Sequence, residues 1–330
     1  MMDDSLMSML MQITEEEQKI LKGITGVEKE LYTETKDFTI DSKKMLTRGR
    51  LMDIRAHTRF IHFPKHKHNY IEIIYMCSGE TTHIINDSKK ITLKVGDLLF
   101  LNQHAYHEIF PAKQEDIAVN FIVLQEFFDK AFHMIEKDNP IGNFLINSLR
   151  KDGTEVQYLH FKVSKILPVQ NLIENMIWSI VNQQNNKSYI NQITMGLLFL
   201  QLLNHTDTID YHAHHQHDSA LVMDCLHYIE NNYKNGTLTE LAQLLHQSVY
   251  TLSRLIKENT GSTFKELLQQ KRFNQATQLL CETRLSVSDI ISAVGYDNTS
   301  YFYRIFKERY ELTPNQYRKK YSLERLQTRT

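Results

Sequence analysis

Residues 294–307 read Val-Gly-Tyr-Asp-Asn-Thr-Ser-Tyr-Phe-Tyr-Arg-Ile-Phe-Lys, and the second half of that stretch has an earlier counterpart: Tyr301 to Lys307 aligns with Thr251 to Lys257 at an offset of 50. Upstream of each, Val287 to Ile291 aligns with Leu238 to Ala242 at an offset of 49, so the second copy carries one extra residue between its two segments. Each copy predicts a short helix, a turn and a second helix, over 238–257 and 287–307. The first helix of each opens on a polar and acidic pair, Thr239-Glu240 or Ser288-Asp289, suited to a helix start. Apolar residues follow on one face: Leu241, Leu244 and Leu245, or Ile290, Ala293 and Val294. The second helix buries Leu252, Leu255 and Ile256, or Phe302, Ile305 and Phe306. Its opposite face presents Tyr250, Thr251, Ser253, Arg254 and Lys257, or Thr299, Ser300, Tyr303, Arg304 and Lys307. A helix fits the major groove of DNA, where Arg bonds guanine through two parallel hydrogen bonds and hydroxyls read neighbouring edges. Lysines one turn on reach phosphates. A structural helix bundle with a solvated polar face is the alternative, and two copies with Arg and Lys at matching places speak against it.

The same region resembles the DNA-binding domain of the AraC/XylS family of transcription regulators. The resemblance rests on residues 294–307 and on Leu312-Thr-Pro-Asn-Gln-Tyr-Arg318. In the first copy it rests on Leu252-Ser-Arg254, Lys257, Gly261-Ser-Thr-Phe264, Arg272, Ala276 and Leu279-Leu280. It implies that both second helices enter successive major-groove segments on one face of a double-stranded operator, with the joining helix fixing their spacing. Tyr250, Thr251, Ser253 and Arg254, then Thr299, Ser300, Tyr303 and Arg304, are the base readers it implies. Two residues depart from the family pattern. Ile291 stands where a small Ala is usual, and Glu311 where Gly is usual. A left-handed Glu costs about 1 kcal/mol, so a rearranged cap is expected there.

Charge divides the chain in the same place. From Ser219 to Thr330 there are 15 Lys and Arg against 11 Asp and Glu, a net of +4, whereas the remainder holds 23 against 28, a net of −5. A basic third on an acidic body is expected if one part alone meets phosphates. The whole is 42% hydrophobic and 23% charged, which fits neither a disordered nor a membrane class. The N-terminus carries Asp3 and Asp4 where a signal peptide needs Lys or Arg, and Cys77, Cys225 and Cys281 are far apart. A cytoplasmic protein with free thiols and no membrane partner is the reading.

The fold class expected is α+β and multidomain. Residues 1–36 form a helical extension, and 37–124 carry short alternating runs of an antiparallel β-barrel. Within the latter, Thr82–Ile85 and Ile91–Val95 flank a hairpin turn at Asn86-Asp87-Ser88. Residues 125–204 are helical and suited to dimerisation, 205–218 form a His-rich linker, and 219–330 hold the DNA-binding domain. The β region, with His66, His68, Glu72 and His107, resembles the cupin barrel that serves as sensor domain in many AraC-family members. In cupin enzymes the equivalent residues hold a divalent metal, and His66 and His68 share a strand face. A ligand-contacting role for His66, His68, Glu72, Tyr75 and His107 is the primary expectation, with no cofactor assigned. His62, His83, Asn102 and His104, set among Tyr70 and Tyr106, suggest a pocket for a sugar or another hydroxylated molecule. The expectation is a ligand-responsive activator that works as a homodimer with RNA polymerase. The alternative is a metal-dependent cupin enzyme with a DNA-binding appendage.

Overall fold

The computed structural model describes residues 2–35, 37–47, 49–132, 134–135, 139–150, 156–184, 186–210 and 217–321. The chain folds as two units, Met1–Gln216 and His217–Thr330. Among the described residues no helix is long and apolar enough to cross a membrane.

The first unit opens with α1 (Asp4–Leu10) and α2 (Glu15–Leu21). Thr14 starts α2 through a reciprocal cap, its side chain accepting from the Glu17 N–H while Glu17 accepts from the Thr14 N–H. There follow β1 (Thr39–Ile40), α3 (Ser42–Met45), β2 (Met52–Ala56), β3 (Phe63–His68), β4 (Ile71–Ser78), β5 (Glu80–Ile85) and β6 (Lys89–Lys94). Next come β7 (Leu98–Leu101), β8 (His107–Ile109) and β9 (Ile117–Val123), then α4 (Asp129–Phe132) and α5 (Pro140–Leu149). Strand β10 (Tyr158–Phe161), α6 (Leu167–Val181), α7 (Lys187–Leu203) and β11 (Ile209–Asp210) complete the unit.

The strands make two sheets, ordered β1-β3-β8-β5-β6 and β11-β10-β7-β4-β9-β2. Ile74, Leu99, Leu101 and Ala118 from the second sheet pack with Ile85, Ile91 and Leu93 from the first into one apolar core. The expected barrel is thus an open sandwich of two sheets, and β1 runs parallel to β3, so it is not wholly antiparallel. The hairpin of β5 and β6 forms as expected, with Asn86 and Asp87 both at positive φ in the turn.

Two strands lie where helix or linker was expected. Tyr158–Phe161 pairs antiparallel with β7, and Ile209–Asp210 pairs with β10. Residues 205–210 therefore belong to the first unit rather than to a tether, and α8 already begins at His217. His212, His214 and His215 of the expected linker lie outside the described residues.

The second unit is helical: α8 (His217–Asn232), α9 (Leu238–Leu244), α10 (Val249–Thr260), α11 (Phe264–Glu282), α12 (Val287–Ala293), α13 (Thr299–Tyr310) and α14 (Pro314–Tyr321). It has two cores. Leu241, Leu252 and Ile256 surround Phe264 and Leu268 at the start of α11. Ile290, Ile291, Phe302, Phe306 and Tyr317 surround Phe273, Ala276 and Leu280 further along it. Helix α11 is the shared spine, and its 19 residues span about 28 Å. Arg272 ties the two ends, its guanidinium bonding the carbonyls of Tyr233 and Lys234 at 2.7 and 2.6 Å and lying over the Tyr296 ring. Gly295, at φ +84°, lets this loop close: a Cβ there would sit 2.7 Å from the Lys234 carbonyl oxygen.

The two departures from the family pattern resolve differently. Ile291 is accommodated, 2% exposed within the second core. Glu311 does not rearrange the cap: it takes the left-handed conformation itself, φ 58°, with its N–H on the Lys307 carbonyl.

Candidate nucleic-acid interface and effector site

Helices α10 and α13 share one construction. Ser248 caps α10 by accepting from the Thr251 N–H, and Asn298 caps α13 by accepting from the Tyr301 N–H. Leu252 and Ile256, or Phe302 and Phe306, bury one face at i and i+4. The remaining face is exposed. Tyr250, Ser253, Arg254 and Lys257 lie on it in α10, and Thr299, Ser300, Arg304 and Lys307 in α13. Arg254 lies 3.8 Å from Glu258 in solvent, a contact worth little and easily exchanged for a base or phosphate. The Arg304 guanidinium rests over the Tyr301 ring at 5.4 Å.

Two expected readers sit less freely. Thr251 is half-buried, its hydroxyl 2.7 Å from that of Ser248, and Tyr303 is half-buried against the second core. Tyr301, not named from the sequence, is exposed instead. The offset of 50 that pairs it with Thr251 was the signal that could have found it.

The second site lies between the two sheets of the sandwich. His66 and His68 come from β3 and His107 from β8, where His66 and His107 are cross-strand partners. Glu72 comes from β4 in the opposite sheet. Donor nitrogens of the three histidines lie within 4.8 Å of one another. Glu72 Oε2 is 3.6 Å from both His68 Nε2 and His107 Nε2. All four side chains are buried. Burial drives His66 down to about 4, and His68 and His107 well below the usual histidine range. The imidazoles are therefore neutral, and the 3.6 Å contacts are neither ion pairs nor hydrogen bonds.

The outer contacts orient this cluster. His66 Nδ1 lies 2.8 Å from the Pro64 carbonyl, which fixes its proton there and leaves Nε2 a lone pair. His107 Nδ1 faces His83 Nδ1 at 3.4 Å, and His83 Nε2 faces the Thr81 hydroxyl at 3.1 Å. Asn120 donates to Glu72 Oε1 at 2.9 Å, and its own oxygen faces His57 Nδ1 at 3.2 Å. Burial pushes the Glu72 carboxyl up to about 8, against the lowering effects of the Asn120 hydrogen bond and the Arg55 charge.

The inner atoms are orphans. Both nitrogens of His68, Nε2 of His107 and Oε2 of Glu72 are buried without a hydrogen-bond partner. Such groups are costly unless something satisfies them. A tetrahedral divalent ion with bonds of about 2.0–2.1 Å sets its donors roughly 3.4 Å apart, close to the spacing of Glu72 from its two histidines. Three neutral imidazoles and one carboxylate form a donor set suited to Zn, Fe, Mn or Ni. The three histidines fit a metal, with Glu72 Oε2 beside two of them.

A cavity of about 40 Å³ adjoins the cluster, with His66, Glu72, Tyr70, Tyr32, Arg55, His57 and Asn120 in its wall.

Residues 53–133 match the family described as AraC-like ligand binding domain, and residues 241–320 that described as helix-turn-helix domain. The chain belongs to the AraC family of transcription regulators. It is 26% identical over 265 residues to the HTH-type transcriptional activator RhaS of Mannheimia succiniciproducens, covering 78% of this chain and 89% of that one. The HTH-type transcriptional activator RhaR of the same organism is 24% identical over 273 residues, covering 78% and 88%. The xylose operon regulatory protein of Escherichia coli is 32% identical over 98 residues, covering 29% and 25%.

As an AraC-family regulator the chain pairs a DNA-binding unit with a domain for a small effector. The structure gathers His66, His68, Glu72 and His107 as expected from the sequence, but not Tyr75. Side chains alternate along β4, so Tyr75 faces away from Glu72, and its hydroxyl donates to Gln170 Oε1 of α6 at 2.6 Å. Of the side chains suggested for a sugar, His62 and Tyr106 are exposed, and Asn102 is engaged by the Val156 carbonyl. Arg55, Asn120 and His57 were missed. Their neighbours in sequence carry no motif, and they reach the site through the pairing of β2 with β9 and of β9 with β4.

Proposed function

We propose that this regulator is a ligand-responsive activator that binds a direct-repeat operator as a homodimer and contacts RNA polymerase in the cytoplasm. Arg254 and Arg304 read bases with Tyr250, Ser253, Thr299 and Ser300, while Lys257 and Lys307 meet phosphates. Thr251 and Tyr303 support those faces from half-buried positions. The relatives named above as activators favour activation, and their naming as regulators favours a sensor over an enzyme. His66, His68, Glu72 and His107 would hold a divalent cation, which when bound supplies a coordination point for an oxygen-bearing effector. Effector occupancy would then bias the chain toward an operator-competent arrangement.

One observation carries the DNA-binding assignment. Two exposed helix faces, built on separate cores along one spine, present Arg and Lys at the same register. Mapping the protein along its genome would supply the operator. Arg254→Ala and Arg304→Ala are each expected to weaken binding by about 1–3 kcal/mol and to relax specificity at different base positions. Lys257→Ala is expected to weaken all sequences alike and to shallow the salt dependence. Operator affinity unchanged in both arginine variants would sink the assignment.

A further inference from the structure

Arg55 stands in the wall of the cavity that reaches His66 and Glu72. Two other arginines near it in sequence have carboxylate partners. Arg59 is bonded by Glu17, with Nε to Oε1 at 2.7 Å, and Arg50 by Asp53 at 2.6 Å. Asp53 shares a strand with Arg55 but pairs with Arg50 instead. The partners of Arg55 are the Met45 sulfur, at 2.7 Å, and the face of the Tyr32 ring, at 5.3 Å. Neither supplies a negative charge, and Glu72, the carboxyl in the same wall, feels the Arg55 charge without an ion pair to it among the described residues. The Tyr32 hydroxyl is already committed to Glu16, so that residue offers the cavity its ring alone.

A half-buried guanidinium beside a thioether and a ring has no ion pair and no oxygen acceptor among the described residues, so most of its N–H donors are open to a ligand. Nearby, His57 Nε2 is buried and also without a hydrogen-bond partner. A divalent cation at the histidine cluster, offset by the single Glu72 carboxylate, would leave the cavity more positive still. A neutral sugar does not answer these charges, whereas a carboxylate does, and it matches the planar fork of Arg through two parallel hydrogen bonds. The cavity has room for about three waters, which suits an acid of few carbons.

We propose that the effector is a small organic acid whose carboxylate is received by Arg55, with a second oxygen turned toward the cation site of His66, His68, Glu72 and His107. This rests on the reading of that cavity as the effector site. It replaces the hydroxylated neutral ligand suggested by the sequence with an anionic one.

The test uses the full chain loaded with Zn²⁺, and follows thermal unfolding and calorimetric binding. The probes are pyruvate, L-lactate and malonate, with L-rhamnose and D-xylose as neutral controls. At least one acid is expected to raise the melting temperature by about 5 °C when present at a hundredfold excess over its Kd, and the sugars to leave it unmoved. Arg55→Met is expected to weaken acid binding roughly tenfold or more, and Arg55→Lys less. Operator binding by each variant shows that it is folded, and Arg55→Lys serves for the comparison if Arg55→Met is not. No shift with any acid, an equal shift in the Arg55 variants, or a larger shift with the sugars overturns the inference. Zinc content and operator binding, measured on the same samples, separate the two levels. Loaded, operator-binding protein that ignores the acids defeats the acid inference alone. Protein that takes up no zinc and responds to neither class defeats the effector-site reading beneath it.

Discussion

Gly261 closes α10 at φ 68° and Glu311 closes α13 at φ 58°, and the N–H of each bonds the carbonyl four residues back, on Lys257 or Lys307, at 3.0 or 2.8 Å. The two caps have one geometry and differ in one side chain. Glycine enters the left-handed region without a Cβ clash, whereas Glu meets the following carbonyl at a cost of about 1 kcal/mol. That the cap keeps its shape shows the packing of α13 and α14 against the second core outweighing a local penalty of this size. Glu311→Gly is accordingly expected to stabilise the second unit by up to about 1 kcal/mol, read as a higher urea midpoint at unchanged slope. A lowered midpoint would mean that the contacts of the Glu311 side chain exceed its backbone strain. Residue-scale reading of the sequence was right about this strain and wrong about its outcome, because the outcome depends on the core behind it. Parity misled at Tyr75 for a simpler reason. It stands three residues after Glu72, an odd step, and an odd step along a strand changes faces.

At the scale of elements, a buried ion pair anchors α2. Arg59 meets Glu17 through Nε, Nη2 and its backbone N–H, at 2.7, 2.9 and 3.1 Å, and also reaches the carbonyls of Gln12 and Gln114. Burial alone would push the Glu17 carboxyl up. The Arg59 hydrogen bonds, the Thr14 N–H and the Arg59 charge outweigh it and hold the group below its ordinary 4.5. A carboxyl lowered in the folded state contributes stability that is complete above the unfolded value. That contribution drains away as pH falls through the folded value. Unfolding midpoints measured from about pH 6 to pH 3 should therefore drop steeply below about pH 4.5. Glu17→Gln should lower the neutral-pH stability by about 3 kcal/mol, by stranding Arg59, and should flatten that acid limb. An acid limb equally steep in the variant would remove Glu17 from the explanation. How legible an element was follows from where its stabilisation comes from. Helices α10 and α13 announce themselves because their own 3.6-residue period selects the buried face, and the repeat doubles the signal. Strands β10 and β11 do not. Tyr158–Phe161 is a four-residue run between helices, and Ile209–Asp210 lies in a polar stretch, so both are strands by virtue of their pairing with distant backbone. The same holds for Arg55, placed in the cavity by the β2–β9 register rather than by its neighbours in sequence.

For the whole molecule, the division into two units matters most at the histidine cluster. Its imidazoles hang from β3 and β8 in one sheet and its carboxylate from β4 in the other, so a bound cation would tie the two layers of the sandwich together. None of its donors lies in the second unit, which has two cores of its own. Metal binding should therefore stabilise one unit and leave the other alone. An ion present at a hundredfold excess over its Kd adds about 2.7 kcal/mol to whatever it binds when folded, equivalent to roughly 5–10 °C in a unit of this size. Calorimetry of the full chain before and after exhaustive chelation is expected to move the transition of the first unit down by that amount. The transition of the second unit should stay within experimental scatter. In His66→Ala the chelator should have little left to remove, and the first transition should already lie low. Re-addition of Zn²⁺ should restore the native protein and not the variant. Should chelation move both transitions or neither, the orphaned atoms of His68, His107 and Glu72 would have to be satisfied some other way. The effector would then have to meet Glu72 and the histidines through hydrogen bonds alone.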